Sequence, residues 1–287
     1  MEDAHLLVAT CGTMLQQALQ DNKFHFAVAP SGHEAEAMLN GSAYTAALFE
    51  LESDVAESLS GLKQLLAVVG HPPVVVITDH TDPVCIAYLL SLGVFGVLAK
   101  PLKCLKLKEL TQAALELGAT DRLRLVSVVP WWLEIAFPAQ HAYISRLSSF
   151  LEFFIFGLPE QDAKRLIYAV RELVQNAIEH GSHFCADKQV VTRYIKSSTY
   201  MIFQIEDEGP GFNINDLPHA IGHKKNAAFE VTRFRKHCGM RPGGLGISTI
   251  LTIADELVYN QKGNAVTMIK CCSPKPTSEN NVPHNQQ

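Results

Sequence analysis

The sequence predicts two unlike halves: a five-stranded doubly wound α/β sheet over residues 1–119, and an α+β two-layer sandwich over 120–272. Three observations lead there. The chain is 287 residues long, which is room for two ordinary domains. In its first 118 residues, strand-length apolar runs alternate five times with helix-length segments. After Gly118-Ala-Thr-Asp121 the alternation stops, and strands and helices come in separate groups. A hydrophobic content of 47% and a charged content of 18% suit filled cores.

The first five strands are expected at His5–Thr10, Phe24–Ala29, Ala46–Glu50, Val74–Thr78 and Phe95–Ala99. The helices between and after them fall at Met14–Gln20, His33–Leu39, Val55–Leu66, Asp82–Leu92 and Leu105–Leu117. Such a βα alternation dictates a parallel sheet wrapped on both faces. In the second half, Arg122–Ile135 reads as one long β-rich run, and Trp131-Trp132 within it as core and interface surface. Two helices follow at Tyr143–Phe156 and Gln161–His180, with Pro159 suited to open the second. Val190–Lys196 and Thr199–Glu206 form a hairpin through Ser197-Ser198. A short helix over Leu245–Ala254 precedes a second hairpin, Glu256–Gln261 and Ala265–Cys271. Residues 273–287, rich in proline and asparagine, read as a disordered tail.

The bulk chemistry excludes several classes. A formal charge of −5 gives no footing on nucleic acid or acidic membranes. No apolar run approaches the ~20 residues of a membrane helix. Seven scattered cysteines without a CxxC pair, and an acidic start at Met1-Glu-Asp-Ala, predict a cytoplasmic protein with reduced thiols. Cys271-Cys272, on opposite faces of a strand, is not expected to hold a metal.

Three stretches carry chemistry. In Glu172-Leu-Val-Gln-Asn176, Glu172, Asn176 and Glu179 share one helical face, opposite the apolar Val170, Leu173, Val174, Ala177 and Ile178. An Asn oxygen suits Mg²⁺, and a Glu one turn earlier suits deprotonation of a hydroxyl. In Asp207-Glu-Gly209-Pro-Gly211, a strand runs into glycines that let backbone approach a ligand, with an Asp able to accept from an adenine amino group. In Arg241-Pro-Gly-Gly-Leu-Gly246, glycines open a helix whose free N–H groups suit phosphates. Between the last two, Phe212–Pro242 is irregular and holds six Lys or Arg.

Together and in this order, these motifs resemble the nucleotide site of the GHKL ATPases, the histidine-kinase-like family. The resemblance implies ATP with Mg²⁺ as cofactors: Asn176 on the metal, Asp207 on adenine, Gly209 and Gly211 beside the base, and Gly244, Gly246 and Arg241 toward the phosphates, under a lid formed by 212–242. No phosphoacceptor His with a following acid precedes the motifs; His141-Ala-Tyr lacks it. Glu-Leu-Val-Gln-Asn-Ala-Ile-Glu-His-Gly and Arg-Pro-Gly-Gly-Leu-Gly-Ile look most like the anti-sigma-factor serine kinases. That branch implies Glu172 as catalytic base, a serine of a STAS-type anti-anti-sigma protein as substrate, a sigma factor as the other partner, and a possible homodimer. The alternative is a catalytically silent module that sequesters a sigma factor or another regulator.

The first half resembles a response-regulator receiver, through Thr78 at the end of the fourth strand and Lys100-Pro101 after the fifth. It departs where a receiver works. The acid pair after the first strand is Ala9-Thr10, the phosphoacceptor Asp is Glu50, and the aromatic switch position is Val97. Hard Mg²⁺ wants several carboxylates, so the expectation is a pseudo-receiver with Glu50, Thr78 and Lys100 as its remaining pocket. Its input would be a protein rather than phosphorylation. Its fourth-helix and fifth-strand face is expected to be a surface on which copies can dimerise.

Overall fold

A computed structural model of the chain describes residues 6–52, 54–212 and 250–272. The N-terminal strands are β1 (Leu6–Ala9), β2 (Phe26–Ala29), β3 (Ala46–Glu50), β4 (Val74–Thr78) and β5 (Gly96–Ala99). All pair in parallel, in the order β2-β1-β3-β4-β5. Their residues are apolar on both faces because both faces are covered. Helices α1 (Thr13–Asp21), α2 (Gly32–Gly41), α3 (Val55–Ala67), α4 (Pro83–Ser91) and α5 (Cys104–Leu117) fill the crossovers. Local chemistry starts three of them. Ser31, Asp54 and Asp82 each accept backbone N–H groups of the first turn, and Pro83 sits where no N–H partner is needed. The strand order reverses at β1, so the carboxyl ends of β1 and β3 flank a crevice suited to ligands.

The C-terminal half is built on β6 (Arg124–Val129), β7 (Trp132–Pro138), β8 (Gln189–Lys196), β9 (Tyr200–Asp207), β10 (Glu256–Tyr259) and β11 (Ala265–Cys271). These make one antiparallel sheet in the order β10-β11-β9-β8-β7-β6. The long run expected at 122–135 is in fact a hairpin that turns at Pro130-Trp131, with a bulge near Leu125. Trp131 and Trp132 are 60% and 47% exposed, so neither is core. Alternation along β8 and β9 is strict. Val190, Thr192, Tyr194, Met201, Phe203 and Ile205 are buried, and their neighbours are not. Helices α6 (Ala142–Phe154) and α7 (Glu160–Asn176) cover the buried face. Tyr143 stacks on Phe137, and the Tyr194 hydroxyl donates to the Phe154 carbonyl at 2.5 Å. A π-helical turn, Ala177–Gly181, ends α7.

Helix α6 also joins the halves. Ten of its residues are buried, because the sheet lies on one side of it and α5 and β5 on the other. Arg146 is 4% exposed. Its Nε donates to the Phe95 carbonyl at 2.6 Å, its Nη1 pairs with Asp121, and its guanidinium lies 4.2 Å from the centre of the Phe95 ring. Burial lowers its pKa and Asp121 acts in the opposite sense. Lys106 pairs with Glu152 across the same junction, and α4 contacts β6. The α4–β5 face expected to serve a dimer therefore packs against the chain's own second half, α4 on β6 and β5 on α6.

Candidate nucleotide site

Helix α7 has a hydrophobic side on the sheet, with Leu166, Ala169, Val170, Leu173 and Val174 buried. Glu172 and Asn176 are half-buried on its other side, one turn apart. Tyr168 lies one turn before Glu172; burial, then the Glu172 charge, push its phenol pKa up. Glu179 accepts from Gln175 Nε2 at 2.8 Å.

Asp207 ends β9 at 8% exposure. Two backbone features hold it. Its N–H donates to the Asn264 carbonyl at 2.9 Å, and its own carbonyl accepts from Asn264 Nδ2 at 2.6 Å. Its carboxylate accepts from the Gly209 N–H at 2.7 Å. Burial raises its pKa, and the Gly209 bond and nearby Lys262 only partly offset that.

The carboxylate lies directly over Gly181. A Cβ on Gly181 would fall 2.3 Å from Asp207 Cγ, and one on Gly209 would fall 2.2 Å from the Gly181 carbonyl oxygen. Only glycines allow the end of α7 and the end of β9 to meet this closely. Ser182 follows, fully buried, with its hydroxyl unpartnered among the described residues. Gly211 has another neighbour. At φ +75° its Cα faces the β10–β11 turn, where a Cβ would lie 2.0 Å from the Lys262 carbonyl oxygen. That turn is tied by Asn260, whose Oδ1 accepts from the N–H groups of Gly263, Asn264 and Ala265.

The structure thus brings Asp207, Gly209 and the end of the Glu172–Asn176 helix together. Arg241, Gly244, Gly246 and nearly all of the expected lid lie outside the described residues, as do residues 245–249 of the expected helix; residues 250–253 are helical. Sequence reasoning missed Gly181, Asn260 and Asn264. The His180-Gly181 pair after the helix was the available signal for the first.

At the crevice of the parallel sheet, Lys100 Nζ pairs with Glu50 Oε1 at 2.7 Å and reaches Asp79 at 3.7 Å. Burial lowers the Lys100 pKa, but the Glu50 bond and charge outweigh it and the net shift is upward. The Thr10 hydroxyl donates to the other Glu50 oxygen. Thr78 is fully buried, and its hydroxyl accepts from the His80 N–H at 2.9 Å. Glu50 and Lys100 are brought together; Thr78 is engaged with its own loop. Among the described residues no cluster of three His, Cys, Asp or Glu could hold a metal, and no helix is long and apolar enough to cross a membrane.

Residues 137–270 match the family of histidine kinase-like ATPase domains. That stretch of the C-terminal half is similar to histidine kinase-like ATPase domains. That family's fold implies nucleotide binding. The N-terminal half is similar to solved receiver structures. The Vibrio cholerae chemotaxis protein CheY4 is 21% identical, with 39% of this chain and 98% of that one covered and a TM-score of 0.33. The receiver domain of a signal transduction histidine kinase from Syntrophus aciditrophicus is 17% identical, with 39% and 90% covered and a TM-score of 0.35. That of the sensor histidine kinase PA1611 from Pseudomonas aeruginosa is 18% identical, with 39% and 98% covered and a TM-score of 0.35. No curated protein matches the chain. The receiver-type fold rests on the strand order and flanking helices described above.

Proposed function

We propose that this ATPase domain binds Mg-ATP at the junction of α7 and β9 and transfers phosphate to a Ser or Thr of a partner protein. The partner is of the STAS anti-anti-sigma type, and the outcome is partner-switching control of a sigma factor. One observation carries the reading: the buried Asp207 carboxylate is held against Gly181 and Gly209 at the end of the very helix whose other side presents Asn176 and Glu172. A buried carboxylate with one N–H partner keeps acceptor capacity for an amino group, so Asp207 fits adenine.

Asn176 supplies one oxygen toward Mg²⁺, which when bound neutralises phosphate charge. Glu172 takes the proton of the partner's hydroxyl as that oxygen bonds to the γ-phosphorus; the bridging bond to the β-phosphate breaks and ADP leaves. The N-terminal half serves as a pseudo-receiver: the Glu50–Lys100 pair with Thr10 fills the place of a phosphorylated aspartate and its lysine.

Radiolabel transfer from ATP to a STAS-type substrate tests the base. Glu172→Ala should lower transfer by about 10²–10⁴-fold, the usual worth of a positioned general base, with ATP affinity little changed. Undiminished transfer rules Glu172 out. No transfer by the wild type, with partner capture intact in Asp207→Asn, favours the silent sequestering module instead.

A further inference from the structure

The six-stranded sheet has a second face, away from α6 and α7. Pairing places Val129 opposite Trp132, Trp132 opposite Ile195, Ile195 opposite Ile202, and Ile202 opposite Ile269. Directly paired residues share a face, so these five make one apolar row across five strands. Toward the end of the sheet, Trp131 and Tyr200 stand beside the row. Trp132, Ile195 and Tyr200 are 47%, 44% and 48% exposed, and Trp131 is more so. The solvent face of an antiparallel sheet is ordinarily polar, so an apolar row edged by exposed aromatic rings calls for a cover.

The chain itself brings one to the place. Strand β11 ends at this edge: Cys271 pairs with Tyr200, and the Cys272 N–H donates to the Thr199 carbonyl at 2.7 Å. Ser273-Pro-Lys-Pro-Thr277 therefore starts beside the Tyr200 ring. From β11 the way to β7 leads over β9 and β8, about 14 Å at about 4.8 Å per strand. Five residues of polyproline conformation reach about 15 Å, at about 3.1 Å each. A proline fixes its own φ and holds the residue before it extended, so Pro274 and Pro276 lower the entropy lost in ordering such a segment. Aromatic-lined surfaces take segments of this kind. Charge agrees. Beside the row Glu134 and Glu206 flank Arg193, and Glu256 stands opposite Ile269 at its end. Lys275 is the one Lys or Arg among residues 273–287. A second copy would instead set these acids against themselves.

We propose that residues 273–277 lie across this face, with Pro274 against Tyr200 and Pro276 between Ile195 and Trp132. Composition alone predicts disorder for 273–287; the aromatic face gives its first five residues a seat. The segment is a tethered cover. It occupies a surface that would otherwise take another apolar chain, and any partner of that surface has to displace it. The proposed nucleotide site lies on the helix-covered face, so the cover is independent of what that site binds.

The chain's two tryptophans both lie on or beside this face, and residues 273–287 contain neither Trp nor Tyr. Tryptophan emission therefore reads the cover directly. The test compares the full wild-type chain with the double variant Pro274→Gly, Pro276→Gly. Glycines keep the length of the segment, remove its rings and raise the entropy lost on ordering it. Both substitutions lie beyond β11, so far-ultraviolet circular dichroism should not change. The expected result is emission shifted to the red in the variant, with stronger quenching by acrylamide. A synthetic peptide of residues 273–287 at about millimolar concentration, the effective concentration of a short tether, should return the variant's emission to the wild-type position. Identical emission from the two proteins overturns the proposal, and so does a peptide without effect on the variant. Wild-type emission that reddens on dilution, while sedimentation velocity shows a dissociating dimer, also overturns it and gives the face to a second copy.

Discussion

At the residue scale, Asp207 is the most constrained polar group in the ATPase domain. Its folded pKa is raised by burial. A carboxylate raised in this way binds its proton more tightly folded than unfolded, so stability is greatest below the unfolded pKa and falls as pH rises through the folded one. The ionised form thus costs the apo fold stability and is kept for what it can accept. Asp207→Asn should therefore be at least as stable as wild type at pH 8, and its advantage should shrink as pH falls toward the ordinary carboxylate value of 3.8. Urea denaturation at pH 8 and at about pH 4 measures this. A variant less stable than wild type at pH 8, with no such trend, would mean that the charge supports the fold. Asp207 itself was legible in the sequence, because a strand running into Asp-x-Gly-x-Gly is distinctive. Gly181 was not, since a helix-terminal glycine looks like any cap until the carboxylate above it is seen. The Lys100–Glu50 pair was legible as well, because both residues sit at carboxyl ends of strands. Thr10's bond to Glu50 was not.

At the element scale, β3, β4 and β11 lie where the alternation of apolar runs puts them, residue for residue. The β6–β7 turn escaped because Pro130-Trp131 interrupts an apolar run with no glycine or asparagine to announce it. Helix α6 was legible as a helix but not as a junction. An arginine inside an apolar helix reads as a solvated charge, whereas Arg146 is buried against Phe95 and Asp121. Removing one member of a buried pair strands the other, at a cost of about 3–5 kcal/mol. Asp121 keeps some solvent exposure, 22% of its side chain, so the lower end of that range is expected for Arg146→Met. Thermal melting should show a fall of several degrees, roughly 2–4 °C per kcal/mol for a chain of this size. An unchanged melting temperature would mean that the junction contributes little.

At the scale of the whole molecule, buried residues from both sheets, with α5 and α6 between them, form one continuous hydrophobic cluster. Gly96 of β5 shows how tight the joint is: a Cβ there would lie 3.3 Å from Ser149 Oγ of α6. Two domains with a shared core should unfold together. Scanning calorimetry should give one transition, with calorimetric and van't Hoff enthalpies that agree; two resolved transitions would show that the halves are independent. This coupling gives the N-terminal half a route to the proposed nucleotide site. Anything that moves α5 or β5 bears on α6, and α6 packs on α7, which carries Glu172 and Asn176. The sequence announced two folds, and periodicity cannot say how they meet. That depends on which side chains of α6 find partners on both sides.

The central claim is that nucleotide binds where Asp207 meets the end of α7. Calorimetric titration of Mg-ADP into wild type and Asp207→Asn tests it most directly. The account predicts binding by wild type and a loss of about 10-fold or more in the variant, the worth of a charge-assisted hydrogen bond of about 1.5–3 kcal/mol. Equal affinity in the two proteins, or no heat with wild type at millimolar nucleotide, would contradict it.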